Sequence, residues 1–273
     1  MTETTRSTRP DQPASDAEIG ADPILAADLT AGDITDAGPG PFRSPPWDAL
    51  RRLGGAALTI GGLACIVGGT LHPIVDGDAH SVAALHGAGA PWAQILLAVG
   101  TTLLLLGLPV MYAWLAPRIG IVGLVGLVAY MVGNLVTAAG HLTVELFVAY
   151  PFAHNPSTAG LIADDDTMLG TAEFAMLNTI GGLVMLGGMG LLGASLIRHR
   201  CVPLWIGVLT VIGMVGFMVP IPAVEGISGF IYEAPRGIAV IAIGVLMIRH
   251  RHSGARRGDE RSQPRVAAAY RAR

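Results

Sequence analysis

Long apolar segments alternate with short polar ones through most of this chain. Crossing the hydrocarbon layer of a bilayer, roughly 30 Å thick, takes about 20 residues of α-helix. Six segments approach or exceed that length, and they cover residues 50–71, 93–115, 119–149, 171–197, 202–222 and 227–248. The pattern predicts an all-α, polytopic integral membrane bundle of six transmembrane helices that occupies residues 47–249.

The sixth segment is the least regular of the six. Glu233, Pro235 and Arg236 interrupt its apolar sequence. Because charged residues are costly at membrane depth, its membrane portion is predicted to begin near Gly237.

Two polar tails flank the apolar region. Residues 1–46 hold eight acidic residues and no long apolar stretch, and residues 250–273 are rich in Arg. Such segments cannot bury enough apolar surface to offset their chain entropy. Both tails are therefore predicted to be disordered.

The overall composition supports a membrane protein. Of the 273 residues, 52% are hydrophobic and 14% are charged, whereas soluble domains carry about 25% charged residues. The formal net charge of −3 does not indicate nucleic-acid binding, because the charges are segregated along the chain. The expected partners are the lipid bilayer and either a second membrane protein or a lipid-like small molecule, with no nucleic acid.

The arginines predict the orientation of the bundle. All 17 basic residues are Arg, and with a cytoplasmic N-terminus sixteen of them fall on the cytoplasmic side and one, Arg236, on the other. Basic residues in short loops favour the cytoplasmic side of a membrane. The chain is therefore predicted to be a multi-pass protein of the cell membrane with both termini in the cytoplasm.

Glycines repeat on the third apolar segment. Gly126, Gly133 and Gly140 are spaced seven residues apart, which places them on one face of a helix. Small residues on one face allow close contact between membrane helices, so this face is predicted to pack against a neighbouring helix.

Histidines and carboxylates are concentrated in the predicted outer loops and helix ends. His141 and Glu145 are four residues apart and point the same way on a continuous helix. They are candidates for a catalytic acid/base pair, and together with His72 and His86 they are candidate metal ligands. The alternatives are an interfacial His141–Glu145 pair in contact with water and a solvated helix cap at His72. No compact metal motif such as HExxH occurs here, and no cofactor is firmly implied.

The order of features resembles a broad set of uncharacterised actinobacterial multi-spanning membrane proteins. The matching features are Leu71-His72-Pro73, Leu103 to Gly107, His141 with Glu145 to Pro151, and Cys201-Val202-Pro203-Leu204-Trp205. The resemblance covers about residues 50–249. It implies an architecture of about six helices, and no established activity follows from it.

Two functional hypotheses follow from the sequence. The first is a non-enzymatic membrane protein, such as a small transporter or an accessory or envelope protein, with a polar vestibule outside the cytoplasm. The alternative is a membrane-embedded enzyme that acts on a lipid or isoprenoid at the outer leaflet. In that case His141 and Glu145 would form its site, with or without a metal ion.

Overall fold

A computed structural model describes residues 45–163, 167–219 and 221–250. The disorder predicted for the two tails therefore lies almost entirely outside the described residues. The α-helices of the described part are α1 (Pro45–Leu71), α2 (Val82–Leu85), α3 (Trp92–Leu115), α4 (Gly120–Thr137), α5 (Tyr150–Ala153), α6 (Ala172–His199), α7 (Leu204–Met218) and α8 (Ile227–Arg249).

The predicted all-α polytopic membrane bundle is confirmed. Helices α1, α3, α6 and α8 are long and apolar enough to cross a membrane, and so is the 34-residue helix that starts with α4 and continues to Ala153. The sixth apolar helix, α7, has 15 residues, which is short of the about 20 needed for a full crossing. It ends at Met218, four residues before the predicted end of its segment, and the chain is extended by Val219.

Neighbouring helices pack antiparallel. α1 lies between α3 and α8, α4 lies against α6, and α7 contacts both α6 and α8. This alternation gathers the helix ends into two groups. We call the end with Leu71, Trp92 and Ile227 the histidine end, and the end with Arg51 and Arg249 the arginine end.

The predicted glycine face on α4 is confirmed, and it packs on α6. A Cβ atom built on Gly133 would lie 2.5 Å from the backbone N and Cα of Met185, and one on Gly126 would lie 2.5 Å from the backbone N of Leu192. These distances are shorter than any van der Waals contact. Only glycine therefore allows α4 and α6 to approach this closely.

Large apolar side chains cover the outer surface of the helices. Those exposed over more than half of their area include Leu63, Leu106, Ile121, Phe147, Leu183 and Met218. A soluble monomer rarely exposes a continuous apolar surface of this kind. The bundle therefore faces lipid, and its polar side chains must find partners inside it.

Candidate functional site

Glu145 lies at the centre of a polar cluster at the histidine end. Its side chain is completely buried, with 0% exposure. Two π-helical turns, Ala138–Leu142 and Glu145–Ala149, follow α4 at this point. Such turns are rare and occur frequently at functional sites. Glu145 itself therefore does not contact water, whereas His141, the other member of the predicted interfacial pair, is 30% exposed.

His72 makes the shortest contact to this carboxylate. It follows the last residue of α1, and its Nε2 lies 2.7 Å from Glu145 Oε1. Its Nδ1 lies 3.2 Å from the carbonyl oxygen of Pro73. Since a carbonyl can only accept, Nδ1 donates and Nε2 is held towards the carboxylate. The alternative of a solvated cap is not what the structure shows, because the His72 side chain is only 12% exposed.

A tight turn brings His80 back to the same point. Asp76 and Gly77 have φ angles of 54° and 86°, the positive values that a two-residue type I′ turn requires. On either side of them, Val75 and Asp78 exchange two backbone hydrogen bonds of 3.0 Å. The Asp78 carboxylate then accepts a hydrogen bond from the His80 N–H at 2.8 Å. As a result, the His80 Nε2 lies 4.0 Å from the buried carboxylate.

His141 and Gln94 complete the surroundings of the carboxylate. His141 Nε2 lies 3.8 Å from Glu145 Oε2, as their spacing of four residues predicts. The His141 ring meets His80 edge-on, with centroids 4.8 Å apart. From α3, the buried Gln94 donates a hydrogen bond of 3.0 Å from Nε2 to Glu145 Oε1. Three imidazoles and one amide therefore converge on a single carboxylate.

The donor atoms of this cluster suit a metal ion. Nitrogen or oxygen atoms of His72, His80 and Glu145 all lie within 4.8 Å of one another. Glu145 Oε2 is buried and has no hydrogen-bond partner among the described residues. A buried carboxylate oxygen without a hydrogen bond is costly. A cation beside His72 and His80, which face Oε1, would remove that cost if the carboxylate bound it through both oxygens. The Nδ1–carbonyl contact of His72 is also the arrangement that orients metal-binding imidazoles.

A cavity of about 260 Å³ opens beside the cluster. The imidazoles of His72, His80 and His141 line it, whereas Glu145 does not. Its remaining lining comes mainly from α1, α3, α7, α8 and the loop before α2, through Gly69, Ile74, Ala79, Leu97, Phe217, Ser228, Gly229, Tyr232 and Glu233. The imidazoles therefore stand between the carboxylate and a largely apolar space.

A second buried ionic group borders this cavity. Arg236 donates to both carboxylate oxygens of Glu233, with Nε–Oε2 and Nη2–Oε1 distances of 2.8 and 2.5 Å. Its guanidinium also lies 5.3 Å from the centre of the Phe217 ring. α8 runs without interruption from Ile227 to Arg249. Gly237 is therefore not the start of a helix, and a membrane portion that begins near it stays a prediction.

The structure brings together three of the four predicted site residues. His72, His141 and Glu145 meet, but His86 does not join them. Its ring is exposed and stacks on His154, with centroids 4.2 Å apart. His80 was not among the predicted site residues, although the Asp-Gly turn before it is a recognisable signal for a chain reversal.

Gln94 was not among the predicted site residues either. It is the single amide near the start of an apolar helix, and nothing in its sequence neighbourhood points to Glu145. The 51 residues that separate Gln94 from Glu145 are bridged only by the packing of the bundle.

The fold and the cluster define an integral membrane helix bundle with a buried His/Glu site. No family model matches the chain, and comparisons with curated proteins and with solved structures find no match either. The functional argument therefore depends on the site itself.

Proposed function

We propose that this protein is a membrane-embedded, metal-dependent hydrolase. His72, His80 and Glu145 would bind a divalent transition metal, and His141 would act as general acid/base. The observation that carries this proposal is the convergence of the imidazoles on a fully buried carboxylate with one oxygen unpartnered among the described residues.

The ligand types favour zinc over magnesium or calcium. Two imidazole nitrogens and one carboxylate oxygen form a typical catalytic zinc set, in which a water molecule takes the fourth position. Magnesium and calcium prefer sites made entirely of oxygen ligands. Zinc–ligand bonds are about 2.0–2.2 Å long, so small side-chain rotations would be needed to close the site from its present spacing.

The position of His141 supports a hydrolytic role. Its side chain is 30% exposed and borders the cavity, whereas Glu145 lies behind the imidazoles. A zinc ion held here would supply activation of a water molecule as nucleophile. His141 would accept the proton of that water and return it to the leaving group of a carbonyl substrate as the bond to that group breaks.

Metal analysis tests the site directly. We expect the purified protein, stripped with chelator and reloaded with Zn²⁺ in lipid nanodiscs, to retain about one ion per chain. His80→Ala should abolish this binding, whereas the matched control His86→Ala should keep it. Equal zinc contents in the two variants would contradict the proposed ligands.

Hydrolysis of a generic ester tests the chemistry. We expect the zinc-loaded protein to cleave p-nitrophenyl butyrate, and His141→Ala to lower the rate about 100-fold or more while leaving zinc bound. His154→Ala is the matched control, since His154 is exposed and stacked on His86. A His141→Ala variant that keeps both its zinc and its rate would refute the role of this residue.

We further propose that the histidine end faces away from the cytoplasm. The arginine distribution supports this orientation, and Arg236, its single exception, is compensated by Glu233 inside the bundle. Reporter tags placed near residues 80, 118 and 160 should place 118 in the cytoplasm and the other two outside. A common location for all three would refute the topology.

A second candidate function is proton-coupled transport. Two intramembrane carboxylates, Glu145 and Glu233, lie on or directly behind the walls of one cavity, and such residues often mark proton relays. Proton uptake into vesicles by zinc-free protein, abolished by Glu145→Gln, would favour this function over hydrolysis.

A further inference from the structure

The cavity beside the imidazoles restricts what can reach them. Its volume of about 260 Å³ lies below the range of about 300–1,000 Å³ typical of pockets for drug-sized ligands. A cavity of this size suits one short chain better than a lipid with two chains.

The lining of the cavity combines imidazoles with aromatic rings. Three imidazoles contribute to it. Phe217 and Tyr232 stack on another part of the lining, with ring centroids 5.2 Å apart. The negative charge of Glu233 is already balanced, because Arg236 donates to both of its oxygens. No charged ligand group is therefore needed away from the imidazoles.

We propose that the substrate is a single-chain amphiphile whose carbonyl head meets the His72, His80 and His141 imidazoles while its short apolar chain fills the cavity along Phe217. This proposal rests on the metal-dependent hydrolase function proposed above. Burying the apolar chain of a ligand that arrives from water drives binding.

The test measures how affinity depends on the length of a ligand's alkyl chain. Alkyl hydroxamates with two to twelve carbons are the probes, since the hydroxamate binds zinc and mimics a carbonyl head. Their affinities would be measured by calorimetry on zinc-loaded protein in nanodiscs, with the heats from empty nanodiscs subtracted. We expect affinity to rise about fourfold per methylene and to level off at the chain length that fills the cavity.

Two variants and a matched control test whether this cavity sets the limit. Phe217→Ala should enlarge the space and move the plateau to longer chains, and Ala79→Leu should move it to shorter ones. Phe147→Ala is the control, because Phe147 is 69% exposed on the outer surface, and its plateau should match that of the unaltered protein.

The possible results separate this inference from the function on which it rests. Zinc content is measured on every sample before the titrations. An absence of zinc from the unaltered protein would overturn both proposals. Stoichiometric zinc with affinities that ignore chain length, or with a plateau that neither cavity variant moves, would overturn the amphiphile proposal alone.

Discussion

Replacing Glu145 by Gln is the most informative single change in the cluster. The substitution preserves the shape of the side chain but removes the negative charge. Glu145 Oε1 accepts a hydrogen bond from Gln94 and lies 2.7 Å from His72 Nε2, and a hydrogen bond to a charged group contributes about 1.5–3 kcal/mol. The change also relieves the burial of an unpartnered carboxylate oxygen. These two effects oppose each other, so stability without metal is a poor measure of the site.

The rise in unfolding temperature on zinc binding is a better measure. It compares each variant with and without zinc, so the effects of the substitution on the metal-free protein cancel. At a zinc concentration about 100 times the dissociation constant, binding stabilises the folded state by about 2.7 kcal/mol. For a chain of this size that corresponds to a rise in unfolding temperature of roughly 5–10 °C. We expect the unaltered protein to show this rise and Glu145→Gln to lose nearly all of it.

The assay is thermal unfolding in nanodiscs with and without Zn²⁺, followed by intrinsic tryptophan fluorescence. Glu225→Gln is the matched control, because Glu225 is exposed in the turn before α8, and it should keep the full zinc-dependent rise. If Glu145→Gln gained as much stability from zinc as the control, the buried carboxylate would not be a ligand and the reasoning from its unpartnered oxygen would be refuted.

Three further predictions concern the surroundings of the site and the packing of the bundle. Gln94→Leu should weaken zinc binding about 10- to 100-fold, the usual effect of removing a group that orients a ligand, and an unchanged affinity in a zinc titration would contradict this. Arg236→Met should destabilise the bundle by about 3–5 kcal/mol in denaturant unfolding, because it leaves the buried Glu233 charge unpaired. Adding Glu233→Gln should restore most of that loss, and a double variant as unstable as the single one would argue against pairing as the cause. Gly188→Leu should prevent folding, because a side chain there would collide with the α4 backbone, whereas a Cβ at Gly187 would meet no atom of the described residues within 4 Å, so Gly187→Leu should fold normally in size-exclusion chromatography.

Much of the architecture could be predicted from the order of apolar residues. The need to satisfy every backbone hydrogen bond in lipid makes long apolar segments helical, and the all-α bundle follows from this requirement. The glycine face of α4 was likewise predictable, since a spacing of seven residues places Gly126, Gly133 and Gly140 on one side of a helix. Helix ends were less predictable, as α7 shows by ending at Met218.

The candidate site could be predicted only where its residues are close in the chain. The spacing of His141 and Glu145 determines their proximity, because one helix carries both. His80, Gln94 and Glu233 come from other elements. Only the tertiary structure brings His80 and Gln94 to Glu145 and places Glu233 at the same cavity as His80. The burial of Glu145 likewise follows only from the tertiary structure. A carboxylate near a helix end looks solvated in the sequence, but the imidazoles around Glu145 and the neighbouring helices exclude water from it.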